Sequence, residues 1–493
     1  MPVRRRFVAL LGRAWLVAFV GCFLLNAAWA LAAPYDGTPD EQQHIYRAAG
    51  IMGGQIAPRP EPAIDGTGGL TRVPDSLVRN NCWKLNRVSA ACAKDIGGNE
   101  TKIWVATRAA RYHPGYYVAV GWPLALWPDW TGLLLARLLS GAAVAGFVAL
   151  AFACAARWSR IGAAAVLVGF TPLVAMFGGA LNPTAPEIAA GIALFAALIP
   201  LLRLGRVDPL FVHTAGISAV TLASLRALGP FWLAVAVALV AFPRFPLREL
   251  WKRRPLRWWL AVTAVAALLH TVWIVRQKTN QLGAAGSGID VDVPTAMRMD
   301  FFERWERLFQ EMVGQLGWLE LKLPALAYLA WWMVLGYLLL AGFLAGDRAH
   351  RVRTVGLFVV TMGVTSVLVA TSVQKLGFIS QGRYMMPTLV GLPLLAVSVM
   401  SPVDDHARAL VRTAAGVLLP VHLLTLFLGM GRWQAGLADP PHVNPFGGDW
   451  EPPLGTFPPV ILGVCGVLAL LGLMWRPTGG DGTPGTVTTI PQR

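Results

Sequence analysis

A chain of 493 residues, 55% of them apolar and only 14% charged, with mean hydropathy +0.54, carries too little solvating charge for a water-soluble fold of its size. Its formal charge of +16 and pI near 10.3 would suit a nucleic-acid binder if the basic residues shared one polar face. They fall instead between apolar runs, so the composition points to an all-α, polytopic integral membrane protein with membrane lipids, and no nucleic acid, as partners.

Apolar runs near 20 residues cross a hydrocarbon core of roughly 30 Å as helices. In chain order they predict about twelve spans, near 14–33, 131–155, 160–179, 186–202, 209–226, 229–243, 258–275, 324–345, 354–373, 384–401, 410–430 and 459–475. Arg4, Arg5, Arg6 and Arg13, then Arg157 and Arg160, Arg203 and Arg206, the cluster from Arg244 to Arg257, Arg348 to Arg353, and Arg408 with Arg412 occupy alternate connections. The positive-inside rule therefore places both termini in the cytoplasm. Three segments on the opposite side, 34–130, 276–323 and 431–458, are long enough to carry function. Residues 1–475 read as one membrane domain, and 476–493, rich in Pro, Gly and Thr, as a disordered cytoplasmic tail. The first apolar stretch, with Ala28, Ala30 and Ala32 behind it, also fits a signal peptide, although its length favours an uncleaved helix.

The first long segment opens with Thr38-Pro39-Asp40-Glu41-Gln42-Gln43-His44. Thr38 as N-cap, Pro39 at N1 and Glu41 at N3 would form a capping box, which accounts for both acids structurally. The same residues also place two carboxylates and His44 at a membrane–water boundary, where a carboxylate can deprotonate a hydroxyl that attacks an activated carbon. Cys82 and Cys92 share this polar segment and are expected to form a disulfide in an oxidising compartment, whereas Cys22, Cys154 and Cys465 lie in apolar runs as packing residues.

Further along, Arg108, Arg111, Tyr112, His113, Pro114, Gly115, Tyr116 and Tyr117 lead into an apolar stretch, 116–127, too short to span and read as re-entrant or interfacial. This group suits either an interfacial belt or an anionic head-group site. Arg137 and Arg226 fall within or beside predicted spans, where charge is costly and functional by default. Asn182-Pro183-Thr184-Ala185-Pro186-Glu187 reads as a turn opening a helix. Residues 300–316 have helical apolar spacing and are expected to lie along the membrane surface, possessing the form of a lid. Trp318-Leu319-Glu320 precedes Pro324, with Glu320 free to pair with Lys322 or line a pocket. In Gln381-Gly382-Arg383-Tyr384-Met385-Met386-Pro387, Arg383 is placed to meet a lipid-linked phosphate, or simply to snorkel.

Taken in order, Pro39-Asp40-Glu41 with His44, His113-Pro114 with Tyr116-Tyr117, Gly317-Trp318-Leu319-Glu320 and Gln381-Gly382-Arg383-Tyr384 with Pro387 resemble the bacterial membrane family called domain of unknown function 2142. That family in turn resembles the C-type glycosyltransferases, which take sugar from a polyprenyl-phosphate carrier. The resemblance implies a C-type glycosyltransferase-like fold in a bacterial inner membrane and transfer of a sugar to an extracytoplasmic cell-envelope acceptor. It implies Asp40 as catalytic base assisted by Glu41, and His44, Arg111, His113, Tyr116, Glu320, Arg383 and Tyr384 as substrate- or lipid-phosphate-binding residues. It leaves the cofactor open, since some relatives use a divalent metal and others none. Gly115 and Thr184 depart from the family pattern, where a second proline and an acid are usual. A flippase of lipid-linked glycans and a non-catalytic envelope scaffold are the rival readings; candidate residues at the outer interface, not at the bilayer midplane, favour the enzyme over a transporter.

Overall fold

The computed structural model describes residues 2–57, 68–79, 81–93, 101–243, 251–278, 288–475 and 488–489, with the side chains of 2–11, 13 and 488–489 left aside. Among the described residues, eight helices are long and apolar enough to cross a membrane: α1 (Ala14–Ala32), α2 (Trp130–Trp158), α3 (Thr184–Leu202), α4 (Arg254–Gln277), α5 (Ala325–Ala345), α6 (Arg348–Leu376), α7 (Asp404–Ala435) and α8 (Phe457–Trp475). The expectation of about twelve such spans is corrected by the remaining four apolar segments. Pro209–Leu225 and Gly229–Ala241 are short, and the runs near 160–179 and 384–401 are each broken into two helices, Gly162–Gly169 with Pro172–Gly178 and Met386–Leu389 with Gly391–Val397.

The break in the first run follows from Thr171-Pro172. Proline lacks an N–H and disfavours helical backbone in the residue before it, and the Thr171 hydroxyl accepts from the Val174 N–H to start the next helix. A broken helix in a bundle core leaves carbonyls that lipid cannot satisfy. Here His422 of α7 donates to the Phe170 carbonyl at 3.1 Å and Trp331 of α5 to that of Val168 at 3.0 Å. Pro200 within α3 is treated in the same way: it cannot donate to the Ala196 carbonyl, and the Trp158 indole does so at 2.9 Å.

Helix α1 lies between α2 and α8, with Ala18, Cys22, Leu25, Ala28 and Trp29 buried, so it is an integral core element. Helix α3 is the innermost, 94% of its apolar window being buried, while α4 is the outermost at 6% and packs chiefly on Pro209–Leu225. The basic cluster expected from Arg244 is described only from Trp251 onward. The tail expected to be disordered lies outside the described residues except for Thr488–Thr489, which pair with Arg206–Val207.

The long connections gather at one end of the bundle. The first contains the helix Glu41–Met52, an antiparallel pair of strands, β1 (Gly69–Pro74) and β2 (Lys102–Thr107), and the short helices Gly115–Gly121 and Pro123–Leu126 in the stretch expected to be re-entrant. Cys82 and Cys92 are joined by a disulfide, with Cα atoms 6.0 Å apart. Arg432, at the end of α7, fastens this loop: its guanidinium donates to the carbonyls of Trp83, Asn86 and Val88 at 2.7–2.9 Å and to Glu320 at 2.8 Å.

The second connection carries the amphipathic segment: the helix Val293–Arg298, a π turn at Met299–Glu303 and the helix Trp305–Val313. It is anchored by two buried acids. Asp300 accepts from Ser366 of α6 at 2.9 Å and from Ser380 at 2.5 Å, and Glu311 accepts from the Gly382 N–H at 2.8 Å and from Arg307 at 2.8 Å. Gly382 is required by this contact, since a Cβ there would lie 2.2 Å from the Leu308 carbonyl oxygen. A Glu311→Gln substitution keeps the shape and removes the charge. It is expected to cost about 1.5–3 kcal/mol locally and to accelerate hydrogen exchange of the Gly382 amide about tenfold or more, measured by exchange mass spectrometry.

Candidate functional site

The helix that follows α1 begins at Glu41, not at Pro39 as the capping box requires. Asp40 takes the left-handed conformation (φ 68°) and caps with no side-chain bond. The cap oxygen comes from elsewhere: Asp36 accepts from the Gln42 N–H at 2.9 Å. Aspartate enters the left-handed region at lower cost than most residues, and this turn points the two neighbouring acids in different directions.

Glu41, expected to assist Asp40, points into the protein. Its carboxylate is fully buried and accepts from Arg137 at 2.7 Å on each oxygen and from the Leu181 N–H at 3.0 Å. Arg137 uses its remaining donors on the carbonyls of Ala30, Ala33 and Pro34. Every donor and acceptor of this pair is spent within the protein, which is the signature of a structural brace.

Asp40 points the other way and meets Arg383 at 2.5 Å, across 343 residues of sequence. The Asp40 side chain keeps 40% of its surface exposed, against 3% for Arg383. Burial of its surroundings pushes the carboxyl pKa up, but the guanidinium of Arg383, with that of Arg226 behind it, outweighs this and holds it below its usual value. The flat faces of Arg383 rest on Phe177 and Tyr384, at 4.8 and 5.3 Å. Arg226 lies over the far side of the same neighbourhood, 5.0 Å from the Tyr384 ring, with Thr184 Oγ1 at 3.2 Å and Glu187 at 3.7 Å.

His44, one turn beyond Asp40, is buried with Nδ1 2.7 Å from the Tyr117 hydroxyl. Burial pushes its pKa down to about 3, so the imidazole is neutral at physiological pH. In the unfolded chain His44 gains a proton below about 6.5 while the folded protein does not. Stability is therefore expected to fall as pH drops from about 6.5 toward about 3, and His44→Gln to flatten that part of a melting-temperature profile.

The other expected site residues divide into two groups. Arg111, His113 and Tyr384 line one cavity of about 450 Å³, together with Tyr112, Glu187, Arg226, His270, Trp273 and Ser380. Tyr116 and Glu320 do not line it. The Tyr116 hydroxyl meets Ser140 at 2.9 Å, and Glu320 is held by Arg432 and the Leu85 N–H, the pairing with Lys322 being replaced by this one. Asp36, Glu187, His270 and Trp273 were not singled out by the sequence as site residues. Arg226 was marked only as a charge at membrane depth, and that signal was sufficient to find it. A second hollow, of about 490 Å³, lies between α5 and α7 and is walled by Leu326, Leu329, Met333 and Val417 without a charged side chain, away from this chemistry.

Trp318 donates its indole N–H to the Asp36 carbonyl at 3.1 Å, and Lys84 covers its ring. Among the described residues, four of the five non-glycine positions with left-handed backbone, Asp36, Asp40, Leu85 and Leu319, belong to this region around Asp40. Such conformations store strain and persist only where surrounding contacts over-determine them. No group of three His, Cys, Asp or Glu side chains among the described residues is arranged to hold a metal ion.

No curated protein matches the chain. Among solved structures it is similar to ArnT from Cupriavidus metallidurans bound to undecaprenyl phosphate (14% identity, TM-score 0.43) and to the same protein in the apo state (12%, 0.42). Each comparison covers 93% of this chain and 76% of that one. The family model described as "Predicted membrane protein (DUF2142)" matches residues 23–392, three quarters of the length, and the chain therefore belongs to that family of membrane proteins.

Proposed function

We propose that the protein is a membrane glycosyltransferase that moves a sugar from a polyprenyl-phosphate donor to a cell-envelope acceptor on the extracytoplasmic side of a bacterial inner membrane. The observation that carries this reading is the Asp40–Arg383 contact: a partly open carboxylate, kept ionised by a buried guanidinium that rests on Tyr384, a residue lining the cavity of about 450 Å³, although neither Asp40 nor Arg383 lines it. The disulfide at the same end of the bundle supports an oxidising side for the site, and hence both termini in the cytoplasm.

In the proposed step Asp40 takes the proton of an acceptor hydroxyl, and the acceptor oxygen attacks the anomeric carbon from the face opposite the phosphate. The bond from that carbon to the phosphate oxygen breaks, and its electron pair leaves on the phosphate. Arg383 faces the charge that develops there. As the phosphate draws on the guanidinium, Asp40 loses part of its ion-pair stabilisation and becomes a stronger base. A single displacement of this kind inverts the anomeric centre. Glu41, braced by Arg137, serves to place Asp40 and takes no proton.

The test uses the purified full chain in lipid vesicles with labelled polyprenyl-phosphate sugars and envelope glycan fractions. Transfer of label to the acceptor is the expected result. Movement of the labelled carrier across the bilayer with no product would establish a flippase instead, and neither activity would leave a scaffold.

A further inference from the structure

The end of the bundle opposite the disulfide-bearing loop holds a polar cluster that the candidate site does not use. Helix α3 starts at Thr184, which meets Arg226 beside that site, and ends at Leu202, so Arg203 stands about 28 Å away along the helix axis. Phe242, which closes the helix Gly229–Ala241, and the first turns of α6, capped by Asp347, meet Arg203 there.

Two arginines converge on one acceptor. The Phe242 carbonyl takes Nε of Arg353 at 2.7 Å and Nη1 of Arg203 at 3.5 Å. A single cation satisfies a helix-terminal carbonyl, and Arg353 does so at the shorter distance. The second guanidinium adds like-charge repulsion, which grows as the surroundings lose water. Among the described residues neither arginine is in an ion pair. The charge of Asp347 acts on both, but its carboxylate is committed to the His350 N–H at 2.6 Å.

Two polar atoms of the cluster are buried without a hydrogen-bond partner. One is Nη2 of Arg353, a residue 3% exposed. The other is Nδ1 of His350, 1% exposed and one helical turn before Arg353 on the same face of α6. The charges of Arg203 and Arg353 both reach this imidazole. A guanidinium N–H without an acceptor in a buried position carries its full desolvation cost. A phosphate group removes that cost, because its oxygens match the paired N–H groups of one guanidinium and leave others for a second. Arg203 stays partly open, which gives such a group a way in from the interface. Because the cluster lies where apolar spans end, the phosphate arrives either in the head group of an anionic phospholipid or free from the adjoining water.

We propose that Arg203 and Arg353, with His350 beside them, form a phosphate-binding site at the end of the bundle remote from Asp40. The three helices that meet there also line the cavity of about 450 Å³ nearer their other ends, through Glu187, Trp232 and Thr365. A bound phosphate therefore ties together the far ends of the helices that frame the candidate site. The proposal does not depend on sugar transfer and is tested by binding alone.

Native mass spectrometry of the full chain, released from micelles doped equally with phosphatidylglycerol and phosphatidylcholine, reads the lipid source. Equilibrium dialysis of labelled inorganic phosphate against the full chain in phosphatidylcholine nanodiscs, corrected for empty discs, reads the free source. Preferential retention of phosphatidylglycerol, or binding of phosphate, is expected to fall about tenfold or more in Arg353→Gln and in Arg203→Gln. Arg353→Lys should keep part of it, and Arg408→Gln, at an exposed pair with Asp405, should leave it unchanged. That pattern in the lipid arm makes the ligand a phospholipid, and in the phosphate arm a dissolved anion; each supports the site. Equal retention of the two lipids with no phosphate binding overturns it, as does binding indifferent to Arg203 and Arg353 or lowered equally by Arg408→Gln. If Arg353→Gln does not fold, Arg203→Gln decides, since it gives up one bond of 3.5 Å.

Discussion

Glu41→Ala and Arg137→Met are each expected to destabilise the folded protein by about 3–5 kcal/mol, measured by equilibrium unfolding in mixed micelles. The two side chains are fully buried and bind one another through two bonds of 2.7 Å. Removing either leaves an uncompensated charge in a fully buried position, which is the costly half of a buried ion pair. The arginine loss carries an added term, because the carbonyls of Ala30, Ala33 and Pro34 lose their donors as well. These carbonyls terminate α1, so the damage should spread to the turn that holds Asp40. A change of less than about 1 kcal/mol in both variants would remove the brace from the account.

Asp40→Asn separates chemistry from folding. Asparagine accepts the left-handed backbone as readily as aspartate and nearly matches its shape. The half-open position of the side chain, and an amide oxygen that still accepts from the buried Arg383, limit the loss, so melting temperature should fall by less than in the two brace variants. Turnover should fall by about 10²–10⁴-fold, with little change in the Michaelis constant for the lipid donor, since the amide cannot take the acceptor proton. If transfer persisted at the parental rate, Asp40 would not be the base.

Hydropathy made the membrane class legible because burial in lipid requires long apolar runs, and it located every long helix of the structure to within a few residues at most ends. It overstated the number of uniform spans. An apolar run reads alike whether it is one helix or two joined at Thr171-Pro172, and the partners that make the break tolerable, His422 and Trp331, lie 251 and 160 residues beyond Thr171 by the numbering. The strands β1 and β2 escaped notice for a different reason: they pair across a gap of 27 residues, and neither has an extended alternating pattern.

The site shows the same division. Asp40 and Arg383 were visible as chemistry-bearing residues at an interface, yet nothing local to either reveals that they touch. For Glu41 the pattern Thr-x-x-Glu fits a capping box, a reading the sequence left open beside the one in which Glu41 assists Asp40. The brace to Arg137 outcompetes the cap, and Asp36 takes over the capping duty. His270 lies in the apolar repeat of α4 and has no neighbouring motif, so only the three-dimensional convergence with His113 and Arg226 distinguishes it from an ordinary packed histidine.

The backbone turn at position 40 has one more implication, for amino-acid choice. Glycine would relax that torsion but brings no negative charge, and asparagine is comfortable there yet neutral. Glutamate is charged, but it fits the torsion less readily and carries its oxygens one methylene further, past the guanidinium it must meet. Among charged residues, geometry and electrostatics together favour aspartate at the position, which is why the two adjacent acids do not readily trade places.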